Sequence, residues 1–508
     1  MASENLKRIA KNSFMLYVQM FLSMLVSLYT SRVLLTELGV EDFGIYNVVG
    51  GIVAMFVILS GSMTSSSTRY LTFALGKGDL KNFQKIFSTS LLVHLLIAVV
   101  IVIIAEPTGI WFMENKMQIA DNRMDAANVI FHCSVVITAI NIIGVPFSGV
   151  IIAHEKISVF TYFSLIDLAL KLGLIIFLKT YSGDKLIFYG VLLLAIQILI
   201  QILIIIYCYS TFREIKSKLF WDRGLFKEMS SFAGWSLFGD SAFILQNQGI
   251  NLLINVFFGT TVNAARGVAM QMQGLVIRFI SSFQTAINPQ ITKSYASENF
   301  HFMHKLIYAS SKFSFYLFLI LSLPILIETE MILSIWLKVV PDYTVGFVRI
   351  ILLITLINAF ANPLVFAVKA TGVIRKYEIV VGVISLTIVP ISYFLLANNF
   401  PVITVFIVHF IVEIVGQIFR LIIVSPLIKM SKLTYVKEVV INCLLIFAIA
   451  VLVPIILLLF MDDSFIRLLL VVLSSIFGVL ISSYFLGMND TERLYLKNVI
   501  QSRLGVSN

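Results

Sequence analysis

The stretch FAGWSLFGDSAFILQNQGINLLINVFFG, residues 232–259, decides the fold because it is long and apolar enough to form a helix across a bilayer. Its interior nevertheless contains one carboxylate and five amides: Asp240, Gln246, Asn247, Gln248, Asn251 and Asn255. Polar side chains are expensive in hydrocarbon, and most of these, together with Ser236, fall on one face of the helix. That face is therefore predicted to line either a polar cavity or a packed interface in which amides bond helix to helix.

The rest of the chain has the composition of a polytopic membrane protein. Of its 508 residues, 59% are hydrophobic and 13% are charged, and the mean hydropathy is +0.98. Apolar runs of about twenty residues recur, which favours helices over the alternating segments of transmembrane strands. The three cysteines fall in predicted spans, so we expect no disulfide, metal or cofactor site. The net charge of +10 is scattered over short loops, which argues against nucleic-acid binding.

Hydropathy predicts fourteen transmembrane helices. Their predicted ranges are 12–34, 43–62, 86–105, 127–151, 157–178, 186–208, 231–258, 262–286, 307–327, 346–368, 377–397, 402–425, 438–460 and 465–486. If the amino terminus is cytoplasmic, the inner side holds about 25 Lys and Arg residues and the outer side about 8. This bias predicts that both termini are cytoplasmic.

An internal repeat is predicted from two nearly equal offsets. A shift of 220 residues brings LGVEDFGIYN (38–47) over FGTTVNAARG (258–267), and it aligns Gly39 with Gly259. A shift of 217 aligns Pro146 with Pro363. Both offsets equal six helices, an even number, so the copies are predicted to be parallel. We therefore expect six-helix lobes at 1–210 and 211–430, with two added helices and a short tail at 431–508.

The 6+6+2 plan and the paired elements after predicted helices 1 and 7 resemble the multidrug/oligosaccharidyl-lipid/polysaccharide exporter (MOP) superfamily. Within it, the chain is most similar to the polysaccharide transport branch. That resemblance implies a flippase that moves undecaprenyl-pyrophosphate-linked oligosaccharides, the repeat units of O-antigen and capsule, across the bacterial inner membrane. It implies no cofactor, and it implies alternating access through a cavity between two lobes.

Basic residues in the predicted spans are candidates for binding the pyrophosphate. Predicted helix 8 carries Arg266 and Arg278 without an acid, and guanidinium groups match phosphate oxygens bidentately. On a helical wheel Arg278 shares a face with Gln271, whereas Arg266 shares another with Gln273. The resemblance implies arginines on helices 1 and 8, so Arg32 joins the set. Lys171 is a further candidate, although its spacing from Asp167 also allows a structural ion pair.

Amides and acids supply the other predicted contacts. Four amides are candidates for binding sugar hydroxyls: Asn247, Asn251, Asn255 and Gln271. In some relatives an acid on helix 7 helps to hold a coupling cation, and Asp240 resembles it in placement. We expect no acid from predicted helix 11, and Glu413 is the substitute. Predicted helix 12 also carries a stripe that could close as an ion-pair ladder: His409, Glu413, Gln417 and Arg420.

Three functions stay open on the sequence alone. The first is the lipid-linked oligosaccharide flippase, with the bilayer as a partner and the polysaccharide polymerase machinery as a candidate partner. The second is a cation-coupled multidrug extruder of the same superfamily, whose cavity should instead present unpaired acids. The third is a membrane-embedded polysaccharide polymerase or ligase, but the longest predicted outer loop, about 106–126, contains no plausible catalytic group. We therefore expect a transporter and not an enzyme.

Overall fold

The computed structural model describes residues 15–26, 29–30, 33–34, 36–39, 42, 45–46, 63–116, 119–216, 220–337, 340–490 and 492–493. These residues form helices and connections, and no strand occurs among them. They divide into two compact units, one up to residue 237 and one from residue 238 onward. The predicted lobes at 1–210 and 211–430 stay a prediction.

The first unit contains α1 (Met15–Val26), α2 (63–76), α3 (Leu80–Lys116), α4 (Met124–Ala153), α5 (Ile157–Leu178) and α6 (Lys185–Thr211). A run of helix, α7 (Arg223–Ala296), leads into the second unit. There follow α8 (Phe300–Ile327), α9 (Thr329–Trp336), α10 (Thr344–Asn358), α11 (Ala361–Thr371), α12 (Arg375–Leu386), α13 (Ile388–Ala397), α14 (Ile403–Leu427), α15 (Lys432–Tyr435), α16 (Asn442–Ala450), α17 (Leu452–Phe460) and α18 (Phe465–Ser482).

Ten helical segments in the described part of the chain are long and apolar enough to cross a membrane. They coincide with predicted helices 3 to 6 and 9 to 14, several of them made of two consecutive helices. Predicted helices 7 and 8 together form α7, and much of predicted helices 1 and 2 lies outside the described residues. The all-helical membrane architecture is thus supported, whereas the count of fourteen and the side of the termini stay predictions.

The long helix α7 is broken at Gly259. This residue has φ 81° and ψ −176°, a combination that is essentially restricted to glycine because a Cβ would strain the backbone. The break separates an arm at 223–258, called α7a, from an arm at 260–296, called α7b. Two helices were predicted here, and the structure confirms the position of their junction.

Backbone geometry repeats at the predicted offsets. Gly39 and Gly259, 220 residues apart, have φ 80° and 81°. Gly78 and Glu298 have the same separation, and each has positive φ between two helices. In both turns the next residue caps the following helix, since Asp79 and Asn299 each accept a hydrogen bond from the amide three residues on. The two units therefore share local turns as well as a loose sequence similarity.

In the second unit α14 is central. It packs against α10, α11, α12 and α13. The ring centroids of Phe406 on α14 and Phe347 on α10 lie 4.5 Å apart, and both side chains are fully buried. On the neighbouring α8, Phe315 stacks on Phe360 at 5.2 Å. These contacts hold α8, α10 and α14 around the pocket described below.

One end of the first unit is tied by a guanidinium between two carboxylates. Arg123, just before α4, donates to Asp42 at 2.5 and 2.7 Å and to Asp184 at 2.6 Å. Asp184 also caps α6 by accepting from the amides of Leu186 and Ile187. These contacts join three connections that the topology prediction put on one side of the membrane. The hydrogen bond from Arg123 is the main reason why the pKa of Asp184 lies below its usual value.

Replacing Arg123 by Gln is expected to destabilise the protein by about 1–2 kcal/mol at neutral pH. Asp184 has a lower pKa in the folded than in the unfolded chain, so its contribution is complete at neutral pH. That contribution is lost as the pH falls through the folded-state value, below 3.8. Thermal unfolding in detergent at neutral and acid pH should therefore show the variant converging on the wild type in acid. Lys185→Gln, which breaks one half-exposed pair with Glu37, is the control and should have a smaller effect.

Candidate substrate pocket in the second unit

A pocket of about 340 Å³ lies among α7a, α7b, α8, α10, α11 and α14. Its volume falls within the range of small-molecule sites. Its polar lining residues are Asn247, Arg266, Gln273, Ser281, Gln284, Thr355, Asn358, Asn362 and His409, and the others are apolar. No carboxylate occurs in this lining. The pocket is elongated, because Arg266 and Gln284 are 18 residues apart on one helix, about 27 Å at 1.5 Å per residue.

Arg266 is the charged centre of the pocket. Arg266 is 8% exposed, and its guanidinium donates to Asn251 Oδ1 at 3.2 Å and to the Asn247 carbonyl at 3.1 Å. Its Nε is buried and has no hydrogen-bond partner among the described residues. A buried charge with so few bonds is expensive. An anionic group bound in the pocket would offset this cost.

Further along α7b the amides form hydrogen bonds with polar side chains of neighbouring helices. Gln273 donates to Thr355 at 2.6 Å, and Gln284 donates to Ser314 at 3.0 Å. Gln284 also accepts from Asn362. Such bonds connect α7b to α8, α10 and α11 inside the apolar interior. These amides hold the pocket wall together, whereas the groups available to a ligand concentrate around Arg266.

The polar stripe on α14 closes partly on itself, as the sequence predicted. Arg420 donates to Glu413 and, at 3.2 Å, to Gln417. Both members of the ion pair are buried, so the charge of Glu413 is compensated within its own helix. His409 is left outside this ladder and lines the pocket. Its Nε2 lies 3.0 Å from the amide nitrogen of Gln246 on α7a.

The structure brings together three of the predicted site residues. Asn247 and Arg266 both line the pocket, and Asn251 is a hydrogen-bond partner of Arg266. Gln273, which was predicted to share the face of Arg266, also lines it. The predicted common face of Arg266 and Gln273 is therefore present on α7b.

Other predicted site residues lie elsewhere. Asn255, Gln271 and Arg278 are exposed and are not part of the pocket lining. Lys171 belongs to the first unit and forms an ion pair with Asp167 at 2.7 Å. Arg32 lies outside the described residues. The roles predicted for these residues stay predictions.

The expectation that predicted helix 11 offers no acid is wrong. Glu378 lies in the first turn of α12 and is buried, with electrostatic interactions with Asp240, Lys369 and Arg420. A methyl group at Gly239 would overlap its carboxylate, so this glycine makes room for it. The acid was readable as the second residue of the predicted helix.

Glu413, which we expected to help Asp240 to hold a coupling cation, instead forms an ion pair with Arg420. Asp240 itself is exposed and has electrostatic contacts of its own. In the described part of the chain, no group of three potential metal ligands occurs. Glu413 is thus paired, and no acid occurs among the described residues that line the pocket.

No family model and no curated protein matches the sequence. Its fold is nevertheless shared with solved transporters. A structure of MATE in the straight conformation aligns with a TM-score of 0.71 at 15% identity, covering 84% of this chain and 97% of that chain. An outward-facing multidrug resistance MATE family transporter of the MOP superfamily aligns with a TM-score of 0.71 at 14% identity, covering 83% and 96%.

A third solved structure is a MOP superfamily transporter from Pyrococcus furiosus, for which reverse polarity of the binding pocket is stated to suggest a different function. It aligns with a TM-score of 0.69 at 15% identity, covering 83% of this chain and 96% of that chain. At these identities the similarity establishes the fold alone. Together with the ten apolar helices, the fold supports a multi-pass membrane protein.

Proposed function

We propose that the protein is a MOP superfamily transporter that flips an undecaprenyl-pyrophosphate-linked oligosaccharide from the inner to the outer leaflet of the bacterial cytoplasmic membrane. The transporter part of this proposal is supported by the shared fold. The anionic, sugar-containing substrate is supported by one observation, the chemistry of the pocket. Its single permanent cation is Arg266, its other polar groups are amides, hydroxyls and His409, and no acid lines it.

In this proposal each part of the pocket has a chemical role. The Arg266 guanidinium binds an acidic oxygen of the substrate head group, because its fork matches carboxylate and phosphate geometry. Asn247 and Asn358 contact sugar hydroxyls or amides. A volume of about 340 Å³ holds only part of a lipid-linked head group, so the prenyl chain stays in the membrane.

The second candidate is a cation-coupled multidrug extruder, and the comparisons favour it over the flippase. One of the solved structures with this fold is a multidrug resistance transporter. The lining of the pocket favours the opposite conclusion, since an organic cation would meet a guanidinium and no carboxylate. The Pyrococcus furiosus transporter has a binding pocket of reverse polarity, so the charge of the pocket differs between proteins with this fold.

Reconstitution into liposomes separates the two candidates. We expect a fluorescent undecaprenyl-pyrophosphate oligosaccharide to become accessible in the outer leaflet, faster when the starting side is negative. Moving about two negative charges outward gains about 4.6 kcal/mol per 100 mV, from about 2.3 per charge. An organic cation dye in the same liposomes should not move. Transport of the dye without flipping would instead establish the extruder.

A further inference from the structure

His409 is the second ionisable residue in the pocket lining. It lies on α14, half-buried, beside the same space as Arg266 of α7b. A histidine changes its charge near neutral pH, so it differs from the permanently charged guanidinium. The charge of the pocket is therefore +1 when His409 is neutral and +2 when His409 is protonated.

The surroundings of His409 contain one cation, one compensated acid and one adaptable amide. Arg266 and Glu413 are the charges that act on it, and Glu413 is bonded to Arg420. On α12, Glu378 interacts with Arg420, about three turns along α14 from His409. The lining residues on α8, α10 and α11 include no titratable side chain. On α13, Tyr393 is exposed against Phe257.

Gln246 allows His409 to take up a proton. The 3.0 Å contact is a hydrogen bond when the Gln246 amide nitrogen donates to a neutral ring. When Nε2 is protonated, Gln246 must turn its oxygen to the ring, which an amide does by a half-turn of its terminal torsion. Gln246 is 2% exposed, so its contact with His409 is shielded from bulk solvent.

Protonation and anion binding are then linked. Burial of the ring disfavours a positive charge on His409 most strongly, Glu413 favours that charge, and Arg266 opposes it. An anion bound between Arg266 and His409 offsets the repulsion from Arg266 and therefore favours the protonated ring. By linkage the proton increases the affinity for the anion by the same factor.

We propose that His409 determines specificity by binding the acidic group of the substrate together with a proton, as the pH-dependent partner of Arg266. This inference rests on the proposed function, since it requires that the pocket takes an anion. It adds a second contact residue and a condition, the protonation of His409, for tight binding.

Equilibrium binding of radiolabelled glucuronate to the full chain in nanodiscs tests the proposal between about pH 5.5 and about pH 8, where histidine titrates and the sugar carboxylate stays ionised. Glucose is the uncharged control. We expect the affinity of the wild type for glucuronate to rise about tenfold as the pH falls. His409→Gln should remove this dependence, and His409→Lys, a permanent cation, should bind at high pH as the wild type does at low pH.

The outcomes separate this inference from the proposed function. If the pH dependence is the same in His409→Gln, the role of His409 is overturned while the anion pocket stands. If the wild type binds glucuronate no better than glucose, or binds it equally well after Arg266→Gln, the anion pocket fails, and both proposals fail with it. A size-exclusion profile like that of the wild type establishes that each variant is folded.

Discussion

Replacing Arg266 by Gln is expected to lower the affinity for the anionic substrate about 100-fold, which corresponds to about 2.7 kcal/mol at 1.36 per tenfold. Among the described lining residues the guanidinium is the only permanent cation, so it supplies the charge-assisted bonds. The free energy of unfolding should rise or stay unchanged. The variant removes a buried charge that has no ion-pair partner among the described residues. Substrate titration and thermal unfolding of the same sample measure both quantities.

Arg278→Gln is the matched control, because it makes the same change on the same helix at an exposed position outside the pocket. We expect a much smaller loss of affinity from it. If Arg278→Gln abolishes binding while Arg266→Gln does not, Arg278 is the substrate-binding arginine of this helix and the pocket is not the substrate site. If Arg266→Gln mainly lowers stability, Arg266 stabilises the fold through its hydrogen bonds to Asn247 and Asn251 and does not bind the substrate.

Replacing Arg467 by Met is expected to destabilise the protein by about 3–5 kcal/mol. Arg467, in the first turn of α18, forms a two-pronged pair with Glu328 at 2.7 and 2.9 Å. The Glu328 side chain is 2% exposed, so the substitution leaves a buried carboxylate without its partner. Unfolding titrations in mixed micelles should show the loss as a large shift of the midpoint.

The double variant Glu328→Leu with Arg467→Met distinguishes a lost ion pair from general damage. It removes both charges, so it should recover most of the stability that the single variant loses. Asp490→Asn supplies the surface control, since the Asp490 side chain is fully exposed and pairs with Arg493 at 3.5 Å. We expect no measurable change from it. A double variant as unstable as Arg467→Met would contradict this account.

The sequence predicted most of the helices because a bilayer imposes a length and an apolar composition that any reader can count. It also predicted the junction at Gly259 and the common face of Arg266 and Gln273, since both depend on local periodicity. The ladder on α14 could be read for the same reason, because Glu413 and Arg420 are two turns apart on one helix.

The remaining features depend on which helices are neighbours. Arg266 and Arg278 are alike in sequence, and only the packing of α7b against α10 and α14 distinguishes the buried one from the exposed one. Glu378 itself was readable in the sequence, but its position beside Gly239 and Asp240 was not, because these residues are distant in the chain. The bonds of Gln284 with Ser314 and Asn362 likewise join three helices that no single periodicity relates.

Gly259 joins the two arms that carry the pocket, with Asn247 on one and Arg266 on the other. Apart from the adjoining backbone, no atom of the described residues lies within 4 Å of the place where a side chain would begin, so the strain of a substitution would be confined to the backbone. Relief of that strain would turn one arm against the other and separate Arg266 from its partners. A genetic screen for lost transport should therefore return Gly259 substitutions with the phenotype of pocket mutations, although the residue contributes no atom to ligand recognition.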